Sequence, residues 1–126
     1  MQYNILLVEN EPDIVKLTKQ TLEIGGFNVD VAFGGQECLE KINQKKPHII
    51  LLDIWLYDRN GIEILNKIKN NVNYKDIKVI VFTAIAEKDK IKEFVQAGAD
   101  DYIIKPFDPY ELIDKLKEII TPSAQL

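Results

Sequence analysis

The chain has 126 residues, 46% of them apolar, with 16 basic and 20 acidic side chains and a formal net charge of −4. This is the size of one domain with a real core, and the absence of any basic tract or basic-aromatic stripe argues against direct nucleic-acid binding. One cysteine excludes an internal disulfide or a zinc quartet; with no signal-peptide pattern after Met1 and no apolar run near the ~20 residues of a membrane span, a soluble, cytoplasmic domain is expected.

Strand and helix signals alternate along the chain. Ile5-Leu6-Leu7-Val8 predicts a buried strand that stops at Glu9-Asn10-Glu11. Glu11-Pro12-Asp13 predicts a helix start, an apolar face follows through Ile14, Leu17, Thr18, Thr21 and Leu22, and Gly25-Gly26 ends it. A strand over Phe27 to Ala32 leads to a helix through Cys38, Leu39 and Ile42 that breaks before Pro47. Cys38, four residues before Ile42, reads as a small core residue rather than a nucleophile. His48 reads as a solvated turn residue. Ile49-Ile50-Leu51-Leu52 predicts a third strand stopping at Asp53, and a loop reaches Asn60-Gly61 before a helix carrying Ile62, Leu65 and Ile68. Val79-Ile80-Val81-Phe82 stops at Thr83, and a helix with Ile91, Phe94 and Val95 closes at Gly98; Ala86-Glu87 offers that helix no good N-cap. Tyr102-Ile103-Ile104 stops at Lys105-Pro106. Asp108-Pro109 then opens a last helix with a buried stripe through Leu112, Ile113, Leu116, Ile119 and Ile120.

Five strand-helix units without a repeat predict an α/β fold: a doubly wound, five-stranded parallel sheet with helices on both faces. Residues 1–121 form the domain and 122–126 a short tail. In such sheets ligands bind outside the carboxyl ends of the strands. Acids, a lone carboxylate, a hydroxyl and an ammonium should therefore converge at one edge, a set suited to a divalent cation and a phosphoryl group.

At these residues the chain resembles the receiver domains of two-component response regulators, from about Asn4 to Ile120. The likeness rests on Leu7-Val8-Glu9-Asn10-Glu11-Pro12, Leu51-Leu52-Asp53-Ile54, Asn60-Gly61, Thr83-Ala84 and Gly98-Ala99-Asp100-Asp101-Tyr102 with Lys105-Pro106-Phe107. The resemblance implies strand order 2-1-3-4-5, of which a receiver protein is a known example. It implies that Asp53 accepts a phosphoryl group from a sensor histidine kinase or phosphotransfer protein. It implies Mg²⁺ held by Glu9, Asn10, Asp53 and the backbone carbonyl of Trp55. It further implies that Lys105 contacts a phosphoryl oxygen through a cis Lys105–Pro106 arrangement, and that Thr83 and Tyr102 form a switch pair. Against these stand blander readings: Asp53 as a turn residue, Lys105 as a solvated lysine and Tyr102 as a half-buried sheet aromatic.

Two departures from the family pattern bear on function. Glu9-Asn10 replaces the usual two aspartates, which lowers the carboxylate count and predicts a weaker magnesium site. Tyr57 replaces a common proline, which predicts a looser Trp55-to-Arg59 segment with exposed aromatic area. Trp55 and Ile85 are expected to overhang the phosphoryl group and slow attack by water. The fourth helix, fifth strand and fifth helix are the expected switching surface, with Lys88, Lys90, Lys92, Tyr110 and Lys115 as candidate contacts. The resemblance implies a signalling switch rather than an enzyme, with an unknown downstream target or output domain and a possible phosphorylation-dependent homodimer. The alternative is a receiver-like interaction module left unphosphorylated because of Glu9-Asn10. An aspartate-nucleophile phosphatase would need an acid where Trp55 stands, and a flavodoxin-like flavin site a Ser/Thr/Gly-rich loop where Glu9-Asn10-Glu11-Pro12 stands.

Overall fold

The computed structural model describes residues 2–84 and 87–120. Strands and helices alternate: β1 (Asn4–Val8), α1 (Pro12–Ile24), β2 (Asn28–Ala32), α2 (Gly35–Gln44), β3 (Ile49–Asp53), α3 (Gly61–Lys69), β4 (Lys78–Thr83), α4 (Lys88–Gln96), β5 (Asp101–Ile104) and α5 (Pro109–Ile120). All strands are parallel, in the order β2-β1-β3-β4-β5.

Alternation along each strand builds two cores. Leu6, Val8, Ile50, Leu52, Val79 and Val81 face α2, α3 and α4, meeting Cys38, Ile42, Ile64, Leu65, Ile68 and Phe94. Ile5, Leu7, Ile49, Leu51, Ile80 and Phe82 face α1 and α5, meeting Val15, Leu22, Leu112 and Leu116. Burying one such side chain contributes ~1.5–3 kcal/mol, so each central strand is held from both sides. This is why β1, β3 and β4 are almost continuously apolar rather than alternating.

The chain leaves β1 toward β2 on one side and resumes at β3 on the other, so the crevice of the sheet opens at the carboxyl ends of β1 and β3. Val8 pairs with Leu52, so Glu9 and Asp53 step off neighbouring strands together. On the far side Thr83 pairs with Ile104, which brings Lys105 to the same rim.

Several local expectations are corrected. The face of α1 is turned by about one position: Val15, Thr18, Thr21 and Leu22 are buried, whereas Leu17 is 55% exposed. Leu17 instead lines a shallow apolar cleft with Ile14, Ala84, Pro106 and Phe107, because the sheet admits only one side of the helix. Val95 in α4 is likewise exposed, while Phe94 fills the core. Phe27 lies before β2, buried against the α1–α5 face. His48 is half-buried rather than solvated: its Nδ1 accepts from the Asn4 amide at 2.9 Å and its ring meets Tyr3 edge-on at 5.0 Å. Gly98, at φ +103°, closes α4 in a conformation an L side chain rarely adopts. Of the expectations at the end of β4 and at the chain end, those for Ile85, Ala86 and the 122–126 tail lie outside the described residues.

Candidate functional site

Three of the predicted groups meet directly. Lys105 Nζ donates to Glu9 Oε1 and, at 3.3 Å, to Asp53 Oδ2. Glu9 is 1% exposed and Asp53 5%. Each carboxylate is also fixed by its own backbone. Glu9 Oε2 accepts from the amides of Asn10 (2.9 Å) and Glu11 (3.2 Å) as the chain turns into α1. Asp53 Oδ1 accepts from the Trp55 amide at 3.0 Å. Both acids are thus aimed at one point by residues immediately downstream of their strands.

The lysine has its own support. Its ammonium lies 4.5 Å from the centroid of the Phe82 ring, and Phe82 packs on Phe107 with centroids 5.5 Å apart. Lys105–Pro106 is a cis peptide, as the resemblance implied. An ammonium over an aromatic face keeps part of its stabilisation after leaving water. Neither phenylalanine was singled out from the sequence; Phe107 stood in the motif beside Lys105, but the partnership with Phe82 is a tertiary fact.

Two carboxylates and one ammonium leave the site with excess negative charge, and the titration behaviour follows. Burial, then the hydrogen bond and charge of Glu9, push the Asp53 carboxyl up to about 7. For Glu9 burial acts upward too, but its hydrogen bonds with Asp53 and Lys105, the Lys105 charge and the Glu11 amide outweigh it and hold the group below its ordinary value. With Lys105 closer to Glu9 than to Asp53, and two backbone amides on Glu9 against one on Asp53, the geometry favours the charge on Glu9.

Such a site fits a hard divalent cation. The donors are oxygens, as Mg²⁺ prefers, and the surplus charge is what a cation would offset. Among the described residues no group of three His, Cys, Asp or Glu side chains could hold a metal. Any ligand set here must therefore be completed by neutral oxygens, the role expected of Asn10 and the Trp55 carbonyl. The structure places the Asn10 amide on Glu9 and the Trp55 amide on Asp53, so both residues adjoin the acids.

The expected switch pair sits one strand away. Thr83 is fully buried at the end of β4, and its carbonyl accepts from the Lys105 amide at 2.7 Å. Tyr102 pairs with Val81, which puts Tyr102 and Thr83 on the same sheet face. Tyr102 is half-buried, with Lys115 Nζ 5.7 Å from its ring centroid and donating to its carbonyl at 3.2 Å. Lys115 is thus engaged locally, whereas Lys88, Lys92 and Tyr110 are exposed and Lys90 pairs with Glu93 at 3.5 Å. The N-cap of α4, Glu87, makes no side-chain capping bond, as expected.

The segment after Asp53 is better tied than the loss of proline suggested. Asp58 accepts from two α2 amides, Arg59 donates to Gln36 at 2.7 Å, and Trp55 bridges Asn60. Gly61 is a required close approach: a Cβ there would lie 2.5 Å from Ile54 Cα and 2.8 Å from the Asp53 carbonyl oxygen. Trp55 and Tyr57 are exposed, as expected.

Comparison with known proteins bears on the family and the fold. Residues 5–117 match the family model of the response regulator receiver domain. The chain is 37% identical over 116 residues to the phosphate regulon transcriptional regulatory protein PhoB of Pseudomonas aeruginosa, covering 92% of this chain and 51% of that one. It is 38% identical over 121 residues to the probable transcriptional regulator ycf29 of Porphyra purpurea, covering 95% and 57%. The chain therefore spans about half the length of such curated relatives. Among solved structures it resembles a CheY-like response regulator receiver domain protein of Methanospirillum hungatei, with a TM-score of 0.87, 35% identity and 94% of each chain covered.

Proposed function

The chain belongs to the response regulator receiver domain family of two-component systems, and from that premise we propose that it is a cytoplasmic switch phosphorylated on Asp53. The observation that carries this reading is the meeting of buried Glu9 and Asp53 with half-buried Lys105 at the carboxyl ends of β1, β3 and β5.

In the proposed reaction a carboxylate oxygen of Asp53 attacks the phosphorus of a phosphohistidine on a sensor kinase or phosphotransfer protein. A P–O bond forms, the P–N bond breaks, and its electron pair returns to the imidazole. Glu9, Asn10, Asp53 and the Trp55 carbonyl would hold Mg²⁺, which when bound screens the repulsion between the nucleophile and the phosphoryl oxygens. Lys105, already seated on the Asp53 carboxylate, is placed to follow a phosphoryl oxygen as charge moves outward from the acid. Phe82 keeps the ammonium directed at the rim. Thr83 would bond the phosphoryl group after transfer, and Tyr102, on the same face one strand away, would respond to the displaced hydroxyl.

The readout is a population shift of α4, β5 and α5. What that surface contacts, whether an output domain, a separate target or a second copy of the chain, belongs to the whole protein; the named relatives are transcriptional regulators about twice as long. Incubation with acetyl phosphate and Mg²⁺ followed by intact-mass measurement tests the reading. One phosphoryl mass should appear on the wild-type chain and none on Asp53→Asn. A wild-type chain that gains no mass would leave only an interaction module.

A further inference from the structure

The N-terminus of α2 is capped from elsewhere in the fold. Its own N-cap, Gly34, has no side chain to offer. The carboxylate of Asp58, in the loop after β3, takes that place: Oδ1 accepts from the Gly35 amide at 2.8 Å and Oδ2 from the Gln36 amide at 3.1 Å. These are two of the amides a helix start leaves without intrahelical partners. Desolvation pushes the Asp58 carboxyl upward, but the Gly35, Gln36 and Asp58 amides and the Arg59 charge together outweigh it and hold the group below its ordinary value.

The fit is close on both sides. A Cβ at Gly34 would lie 2.8 Å from Asp58 Oδ1, and one at Gly35 would lie 3.0 Å from Arg59 Cδ. Arg59 adds a second tie, donating to Gln36 Oε1 at 2.7 Å. Three residues back along the same loop, the Trp55 amide donates to Asp53 Oδ1, and Trp55 bridges Asn60 across the loop. One short span therefore has its near end on the phosphoacceptor and its far end clamped to α2.

We propose that Asp58 is a positioning residue for the phosphoryl and metal site: seated on the first turn of α2, it holds the loop from Ile54 to Asn60 so that the Trp55 peptide stays against Asp53. The inference rests on the function proposed above and deepens it. Asp58 spends its carboxylate on the α2 amides, not on Asp53, Glu9 or Lys105. It acts through the Trp55 peptide, and it supplies the restraint that Tyr57, standing where a ring-locked residue is common, cannot. Coupling of this kind is reciprocal. A cation held in part by the Trp55 carbonyl would in turn steady the Asp58 clasp, and the α2 amides would then feel the state of the site.

Two measurements on the full chain test this. Trp55 is the single tryptophan, so its fluorescence follows a Mg²⁺ titration. Asp58→Ala should weaken the Mg²⁺ affinity roughly tenfold, the low end for groups that orient metal ligands, with Asp58→Asn, which keeps one acceptor, falling between. Hydrogen exchange on the wild-type chain should show slower exchange at Gly35 and Gln36 when Mg²⁺ is added, a readout that stands even if Asp58→Ala does not fold. Variants that lose stability but bind Mg²⁺ like wild type would make Asp58 only a helix cap and overturn the proposal, as would exchange at these amides indifferent to Mg²⁺. If the wild-type chain takes up neither Mg²⁺ nor a phosphoryl group, the proposed function fails and the inference with it; if only the Asp58 variants behave as wild type, the function stands and the inference alone falls.

Discussion

Lys105 is shared by two buried acids, and that sharing sets what single substitutions should do. Asp53 carries the unfavourable half of the arrangement, with its carboxyl raised from 3.8 to about 7 by burial and by Glu9. A carboxyl raised in the folded state favours folding relative to its charged form only while it keeps its proton. Its contribution is complete below the ordinary value and is lost as pH rises through the folded one. Asp53→Asn should therefore unfold at a higher temperature than wild type above pH 7, with the gap closing as pH falls toward 3.8. Thermal melts of the metal-free proteins across that range measure it; a constant gap would show that Asp53 does not bear the strain. Lys105→Met has the opposite sign, because it strands Glu9 at 1% exposure without its counter-charge. Stripping a buried pair of one partner costs several kcal/mol, and about 3 kcal/mol is expected here, since Asp53 can relieve the site by binding a proton. Urea unfolding at neutral pH reads this directly.

At the level of elements, the two ends of the sheet are built for different purposes. The carboxyl rim gathers Glu9, Asp53, Thr83 and Lys105, and its loops are clamped by short-range fits such as Gly61 against Ile54 and Asp58 against α2. The opposite end carries a knot with no reacting group. Lys69 Nζ donates to Asp100 Oδ2 at 2.8 Å and to the Ile77 carbonyl at 2.8 Å, and the same Asp100 oxygen accepts from the Val79 amide at 2.8 Å. The knot joins the end of α3, the start of β4 and the turn before β5. Asp100→Ala leaves the Val79 amide and the Lys69 ammonium without this acceptor. The expected loss of stability is about 2 kcal/mol, seen as a lower denaturation midpoint, while the rate of acetyl-phosphate labelling at Asp53 stays at its wild-type value. A changed labelling rate would mean that the two ends of the sheet are coupled.

The whole molecule balances a two-sided core against a charged rim, and cation binding should tip that balance toward the folded state. A ligand that binds only the folded chain adds about 1.4 kcal/mol of stability for each tenfold rise in its concentration above the dissociation constant. Unfolding midpoints should accordingly climb with the logarithm of Mg²⁺ concentration, beginning above the micromolar range, as expected of the proposed site with its two carboxylates. Onset at sub-micromolar Mg²⁺ would contradict that count, and Asp53→Ala should abolish the climb. Residue order alone reveals the alternation of elements, the two-faced strands and the polar group that ends four of the five. Those features are local: a run such as Ile49 to Asp53 states its burial and its terminus in five consecutive residues. The cis Lys105–Pro106 bond was implied by the family resemblance, whereas the Asn60 cap of α3, whose side chain accepts from Ile62 two residues on, emerged from the structure. Only the tertiary structure decided which side of α1 is buried, because Leu17 and Val15 both satisfy a helical period and the sheet accepts just one stripe. Packing likewise paired His48 with Asn4, Lys105 with Phe82 and Asp58 with the start of α2. Residue spacing records periodicity and chemical type, but a partner more than twenty positions away is chosen by how the layers stack.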